Sequence, residues 1–120
     1  MIMGHVDSKK RLRRSIYGIY YILVKFDWDA RKAAINEKKH RISFAAAITA
    51  FDDPYALIER DEEHSTLDEL REALIGEAEP GVLVVIFTIR EAGAVYRIIS
   101  ARRASKKERK LYEEAKRIPL

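Results

Sequence analysis

The sequence contains no cysteine, which excludes a disulfide framework, a thiolate zinc site and a cysteine nucleophile. A reducing, cytoplasmic compartment is the corresponding expectation. Histidine is scarce as well. His5, His40 and His64 lie far apart, so no metal-ligand spacing is visible, and no metal or other cofactor is expected. No P-loop, dinucleotide fingerprint, nucleophile elbow or paired-histidine zinc helix occurs, and there is no internal repeat or low-complexity stretch. Nor is there an apolar run of the ~20 residues needed to span a bilayer. Ile16–Val24 follows the basic Lys9–Arg14 in the outline of a signal peptide, but it runs on into Lys25-Phe26-Asp27-Trp28 without a small-residue cleavage site. No membrane partner is expected.

What is present is a chain of 120 residues and 13.9 kDa, enough for one domain, with 48% hydrophobic and 35% charged residues. The net charge of +4 conceals an asymmetry. Residues 1–25 sum to +5, residues 26–96 to −7 and residues 97–120 to +6. Basic ends around an acidic middle point to a polyanion for one surface and a basic partner for another.

Residues 1–15 are expected to form a basic, mobile arm within an extension over 1–22, ahead of a single domain over 23–120. The Tyr- and Ile-rich run after the arm leads into a first strand. Asp29 is placed to cap a helix over Ala30–Lys39, with a break at Arg41 and Ile42. Ser43 caps a second helix, on which Phe44, Ala47, Ile48 and Phe51 form one apolar stripe until Asp52-Asp53-Pro54 stops it. Strands are expected at Tyr55–Arg60, Arg71–Ile75, Val82–Ile89 and Ala94–Ala101, with a polar turn at Asp61–Ser65 and a hairpin loop at Glu91-Ala92-Gly93; Leu67–Leu74 alone is equally compatible with a helix. The nearly unbroken apolar run of Val82–Ile89 marks a central strand covered on both faces. Ser105 and Glu108 form a capping box opening a last helix, with Leu111, Ala115 and Ile118 as its core-facing stripe. The expected fold is α+β, a mostly antiparallel sheet packed against two N-terminal helices and one C-terminal helix.

Two basic clusters follow from this layout. Lys38-Lys39-His40-Arg41 closes the first helix, where cations also complement the helix dipole. Arg90, Arg97, Arg102 and Arg103 lie on the last two strands, and Lys106, Lys107, Arg109 and Lys110 occupy the first turns of the last helix. Cations at a helix N-terminus oppose the dipole unless an anion sits there, which suggests a phosphate site. Arg97 and Arg102 have opposite parity, so a regular strand sends them to opposite faces unless a bulge intervenes. Weaker candidates are His64 as a metal ligand, Glu108 as a general base and Tyr112 as a base-stacking or proton-donating group.

Lys25-Phe26-Asp27-Trp28-Asp29, Asn36 with Lys39-His40, Ile42-Ser43-Phe44 and Phe51-Asp52-Asp53-Pro54 occur in order. They are followed by Asp61 with His64-Ser65, Arg71 with Ile75-Gly76, and Leu83-Val84-Val85 with Phe87-Thr88 and Arg90. Arg97 to Ala104, Glu108-Arg109 and Tyr112-Glu113 complete the series. Over residues 25–115 this resembles the BrnT toxins of bacterial type II toxin–antitoxin modules. Such toxins usually lack the first 22 or so residues seen here; a genuine start near Leu23 or Val24 would account for the difference.

The resemblance implies a RelE-like fold and a ribosome-independent endoribonuclease that arrests growth. It also implies neutralisation by a BrnA-like ribbon-helix-helix antitoxin, with operator DNA bound only through that antitoxin as the pair represses its operon. Metal-free RNA cleavage needs a base for the 2′-hydroxyl and cations for the phosphorane. His40 is the expected base, with Arg90 and Arg102 clamping the phosphate. Lys39, Arg97, Arg103, Lys106, Lys107 and Tyr112 are the expected RNA-binding residues. The acidic residues 52–79 offer a dock for a basic antitoxin segment. The alternative is a non-catalytic nucleic-acid-binding module or regulatory partner subunit.

Overall fold

The computed structural model describes residues 7–15, 18–93 and 95–118. Strands β1 (Asp7–Ser15) and β2 (Gly18–Trp28) precede helices α1 (Ala30–His40) and α2 (Phe44–Ala47), and a 3-10 helix covers Ile48–Asp52. Then come β3 (Leu57–Arg60), β4 (Arg71–Ala78), β5 (Gly81–Arg90), a 3-10 turn at Glu91–Gly93, β6 (Val95–Arg103) and α3 (Lys106–Lys116).

Each helix starts where a side chain takes up its free amides. Asp29 accepts from the Arg31 and Lys32 N–H groups, and Ser43 from that of Ala46. Ser105 and Glu108 form the reciprocal capping box on α3. α1 ends at Arg41, whose left-handed backbone lets its N–H reach the Glu37 carbonyl.

The strands form one mixed sheet in the order β1-β2-β6-β5-β4-β3, an α+β architecture. β2 and β6 are parallel, whereas the other neighbours are antiparallel. The alternation of β5 explains its all-apolar sequence. Leu83, Val85 and Phe87 enter the larger core with Phe44, Ala47 and Ile48. Val84 and Ile86 face the opposite side, where α3 lays Tyr112 against Val84 and Ile75. Helices therefore cover both faces, but α3 covers only part of the second.

Several expectations change. α1 and α2 follow two strands where one was expected, and the helix expected from Phe44 to Phe51 is one α-helical turn that tightens into a 3-10 helix. The stripe expected on α3 is displaced. Leu111 and Ile118 are 48% and 66% exposed, whereas Tyr112 is 1% exposed. The inward face runs through Glu108, Tyr112 and Ala115, because Glu108 is held at the sheet by Arg102 and i, i+4 neighbours share a face. Where the sequence suggests an arm over 1–15, residues 7–15 pair with β2 from Asp7 opposite Phe26 to Ser15 opposite Gly18. Residues 1–6, Ile16 and Tyr17, and Ala94 of the expected last strand, lie outside the described residues.

One strut ties the layers together at the strand that carries much of the basic charge. β2 pairs with β6 only as far as Ile98. Past that point the β6 edge is met by the Asn36 side chain, which accepts from the Ala101 N–H and donates to the Ala101 and Ile42 carbonyls.

Candidate functional site

β6 carries a one-residue bulge. Ile86 pairs with Ser100 and Phe87 with Ile98, so Ile99 is the extra residue. The bulge reverses parity between the two halves of the strand. Arg97, opposite Thr88, and Arg102, opposite Val84, consequently project from the same face, the one that α3 half covers. Arg71, opposite Thr88 on the other side, and Arg90, two residues beyond Thr88, share that face. Four arginines from three strands thus converge on one side of the sheet.

Part of this face is concave. A cleft of about 510 Å³ has Ala73, Ile75, Val84, Ile86 and Ser100 on its floor, with Arg71 and Arg102 beside them. The Asp61–His64 loop and the end of β3 form one wall, and Glu108 at the start of α3 forms part of the rim.

Each arginine of the face has a carboxylate partner. Arg102 makes a two-pronged contact with Glu108 at 2.8 and 2.9 Å. That guanidinium holds the Glu108 carboxyl down to about 2, against partial burial and with help from the Ser105 N–H and hydroxyl. The same contact raises the Arg102 pKa. Glu69 bridges Arg71 at 2.9 Å and Arg90 at 3.1 Å. Arg97 forks onto Asp27 at 3.1 and 3.2 Å, which ties β6 to β2. The anion expected at the basic start of α3 is therefore supplied by the chain itself, through Glu108.

The loop wall is braced. The Asp61 N–H donates to the Arg71 carbonyl at 2.8 Å. The Ser65 hydroxyl donates to the Asp61 carbonyl at 2.6 Å and accepts from the Arg71 N–H at 2.8 Å. Within this frame His64 Nδ1 lies 3.1 and 3.0 Å from the two Asp61 carboxylate oxygens. A carboxylate that accepts a hydrogen bond from Nδ1–H leaves Nε2 as the proton-accepting atom.

The expected catalytic trio is not assembled. His40 and Lys39 end α1, whose Ala33 packs into the core on the opposite face, and neither lines the cleft. Arg90 and Arg97 share the arginine face but also stand outside the cleft, and only Arg102 of the three lines it. Arg103 points to the α1 side, one residue on from Arg102, and donates to the Pro80 carbonyl at 2.7 Å. Lys106 and Lys107 are exposed on the first turn of α3. Tyr112 is buried, with its hydroxyl given to Asp53, so its ring has no open side for a base. Burial first, then Asp53, pushes its phenol pKa up. Arg71 and His64 are the residues that sequence reasoning undervalued. The usable signals were Arg71 sharing strand parity with Ala73 and Ile75, and the i, i+3 spacing of Asp61 and His64.

Residues 28–108 match the family described as the ribonuclease toxin BrnT of type II toxin–antitoxin systems. The chain belongs to the BrnT family. No curated protein matches it significantly. The matched span contains the bulged strand, the braced loop, Arg71, Arg102 and Glu108, so the whole cleft is part of the BrnT region. Type II membership implies a protein antitoxin as partner. Among the described residues, no helix is long and apolar enough to cross a membrane, and no group of three potential ligands could hold a metal ion.

Proposed function

We propose that this BrnT toxin has a RelE-like fold and acts in the cytoplasm as a metal-independent, ribosome-independent endoribonuclease whose activity arrests growth. The observation that carries this reading is the bulge at Ile99, which brings Arg97 and Arg102 to the face shared by Arg71 and Arg90. Guanidinium groups spaced along one surface are suited to a phosphodiester chain, because each can fork onto phosphate oxygens. Arg71 and Arg102 hold the scissile phosphate in the cleft, exchanging Glu69 and Glu108 for phosphate oxygens. Arg90 and Arg97 extend the track, and Lys106 and Lys107 add charge where the RNA leaves it. The basic charge of the N-terminal extension strengthens RNA binding.

A BrnA-like ribbon-helix-helix antitoxin neutralises the toxin and, in complex with it, represses the operon. The acidic wall of the cleft, with Glu59, Asp61, Glu62 and Glu63, suits a basic antitoxin segment that would cover the arginines. Incubating the purified full chain with RNA and a chelator tests the nuclease reading. Cleavage products are expected; retention of RNA without products would establish the non-catalytic binding module instead. Growth arrest on induction, relieved by co-expression of the neighbouring gene, is the expected cellular result. Its absence would point to a regulatory subunit without toxicity.

A further inference from the structure

We infer that His64, oriented by Asp61, is the group that accepts the proton of the RNA 2′-hydroxyl in this cleft. The inference rests on the nuclease reading and adds to it the identity of the base. His40, the base suggested by sequence, lies on the helix that packs on the far side of the sheet. Among the described histidines, His64 lines the arginine cleft.

Two features make it more than a solvated loop histidine. Asp61 contacts Nδ1 through both oxygens, which selects the tautomer with a free Nε2 and holds the ring in place. The dyad is also fixed relative to the phosphate-binding arginine, because Ser65 and the Asp61 N–H clamp the loop onto the Arg71 backbone. A base held by the same strand end as a phosphate ligand is pre-positioned for the hydroxyl next to that phosphate. The imidazole is 59% exposed, so an RNA strand can reach it.

The chemistry balances without a metal or a second substrate. His64 Nε2 takes the 2′-hydroxyl proton, and the 2′-oxygen forms a bond to phosphorus while the bond from phosphorus to the 5′-oxygen breaks. The departing 5′-oxygen takes a proton from solvent water, and the imidazolium returns its proton to solvent. Arg71 and Arg102 balance the charge that builds on the phosphorane oxygens. The products are a 2′,3′-cyclic phosphate and a 5′-hydroxyl, and DNA, lacking the nucleophile, is not cut.

Several other charged groups share the cleft with His64. They are Arg71 on β4, Arg102 on β6, Glu108 on α3, and Glu59 and Arg60 on β3. Its own loop adds Asp61, Glu62 and Glu63.

The test uses the full chain, a mixed-sequence RNA oligonucleotide in chelator, and the same strand fully 2′-O-methylated as an uncleavable binding probe. His64→Ala should lower kcat by about 100-fold or more and leave the Kd for the methylated strand within about twofold, since the side chain is exposed. Added imidazole should restore part of the rate. The acid limb of the wild-type pH–rate profile should vanish in His64→Ala, and Asp61→Asn should lower kcat, because the imidazole loses the partner that orients it. Wild-type cleavage with an undiminished His64→Ala variant, an unchanged acid limb, or products ending in 3′-hydroxyls would each overturn the inference while leaving the nuclease standing. A wild-type protein that binds RNA and never cuts it would remove both.

Discussion

Asn36→Ala probes the strut on which the position of β6 depends. The side chain is 6% exposed and makes three hydrogen bonds, to both backbone groups of Ala101 and to the Ile42 carbonyl, at 2.9 to 3.1 Å. Truncation leaves one N–H and two carbonyls without these partners. At a net value of about 1 kcal/mol per bond, the loss is about 3 kcal/mol. A domain of this length loses about 4 °C of Tm per kcal/mol, so Tm should fall by about 12 °C. Asn36→Asp sharpens the test. It keeps the acceptor for the Ala101 N–H but sets a carboxylate against two carbonyl oxygens. Its folded-state pKa should therefore rise above the unfolded value, and its penalty should grow as pH rises from about 4 toward neutrality. Urea unfolding followed by the fluorescence of Trp28, the single tryptophan and a core residue against Phe44, measures both variants. A loss below about 1 kcal/mol for Asn36→Ala, or equal stability of Asn36→Asp and wild type at neutral pH, would refute the strut.

Three further perturbations test other parts of the fold. Gly76→Ala should cost about 1–3 kcal/mol, because a Cβ there would lie 3.1 Å from the Ala50 carbonyl oxygen and 3.0 Å from Leu74 Cδ2; an unchanged urea midpoint would show that the 3-10 helix yields freely. Tyr112→Phe should cost about 1.5–3 kcal/mol by removing the hydroxyl's bond to the Asp53 carboxylate. The phenol pKa is raised in the folded state, so this contribution is full below about pH 10 and fades above it as the unfolded chain ionises; ultraviolet titration showing every tyrosine ionising together near the ordinary value would contradict it. Glu108 is depressed from 4.5 to about 2, so its pair with Arg102 contributes fully above pH 4.5 and is lost as pH falls toward 2. With Arg102 largely exposed the contribution is about 1 kcal/mol, and Glu108→Gln should flatten the acid limb of stability by that amount.

The elements easiest to read in the sequence were those whose local chemistry and tertiary environment agree. Caps at Asp29, Ser43 and Ser105 start helices as expected, because a side-chain oxygen over free amides is a local interaction. β5 was legible because a strand buried on both faces must be apolar at every position. α3 was misread because its stripe depends on what lies beneath it. Leu111 and Ile118 satisfy a helical repeat, yet the helix is rotated so that Glu108 reaches Arg102 and Tyr112 reaches Asp53. Two polar contacts, one six residues back at Arg102 and one remote in sequence at Asp53, outweigh two apolar side chains that stay exposed. Nor could sequence show that a second strand, β1, would extend the sheet beyond β2.

The candidate site shows the same division more sharply. The arginines were visible as a set, and their opposing parity was visible as an obstacle. What settles the face is one unpaired residue, Ile99, and no residue type in Arg97 to Arg103 marks it as a bulge. The bulge also decides against neighbours in the run: Arg102 turns to the cleft while Arg103, adjacent in sequence, goes to the far side and holds the Pro80 turn. Of the two histidines, His64 lines the cleft and His40 does not, for a related reason. A histidine beside three cations at a helix end looks functional in one dimension, and a histidine after three acids looks solvated. In the folded chain the helix end packs away from the cleft, and the first of those acids, Asp61, becomes the partner that orients the imidazole. Chemistry at this site therefore follows from which face a residue occupies, and here a single inserted residue and one hydroxyl-braced loop determine that face.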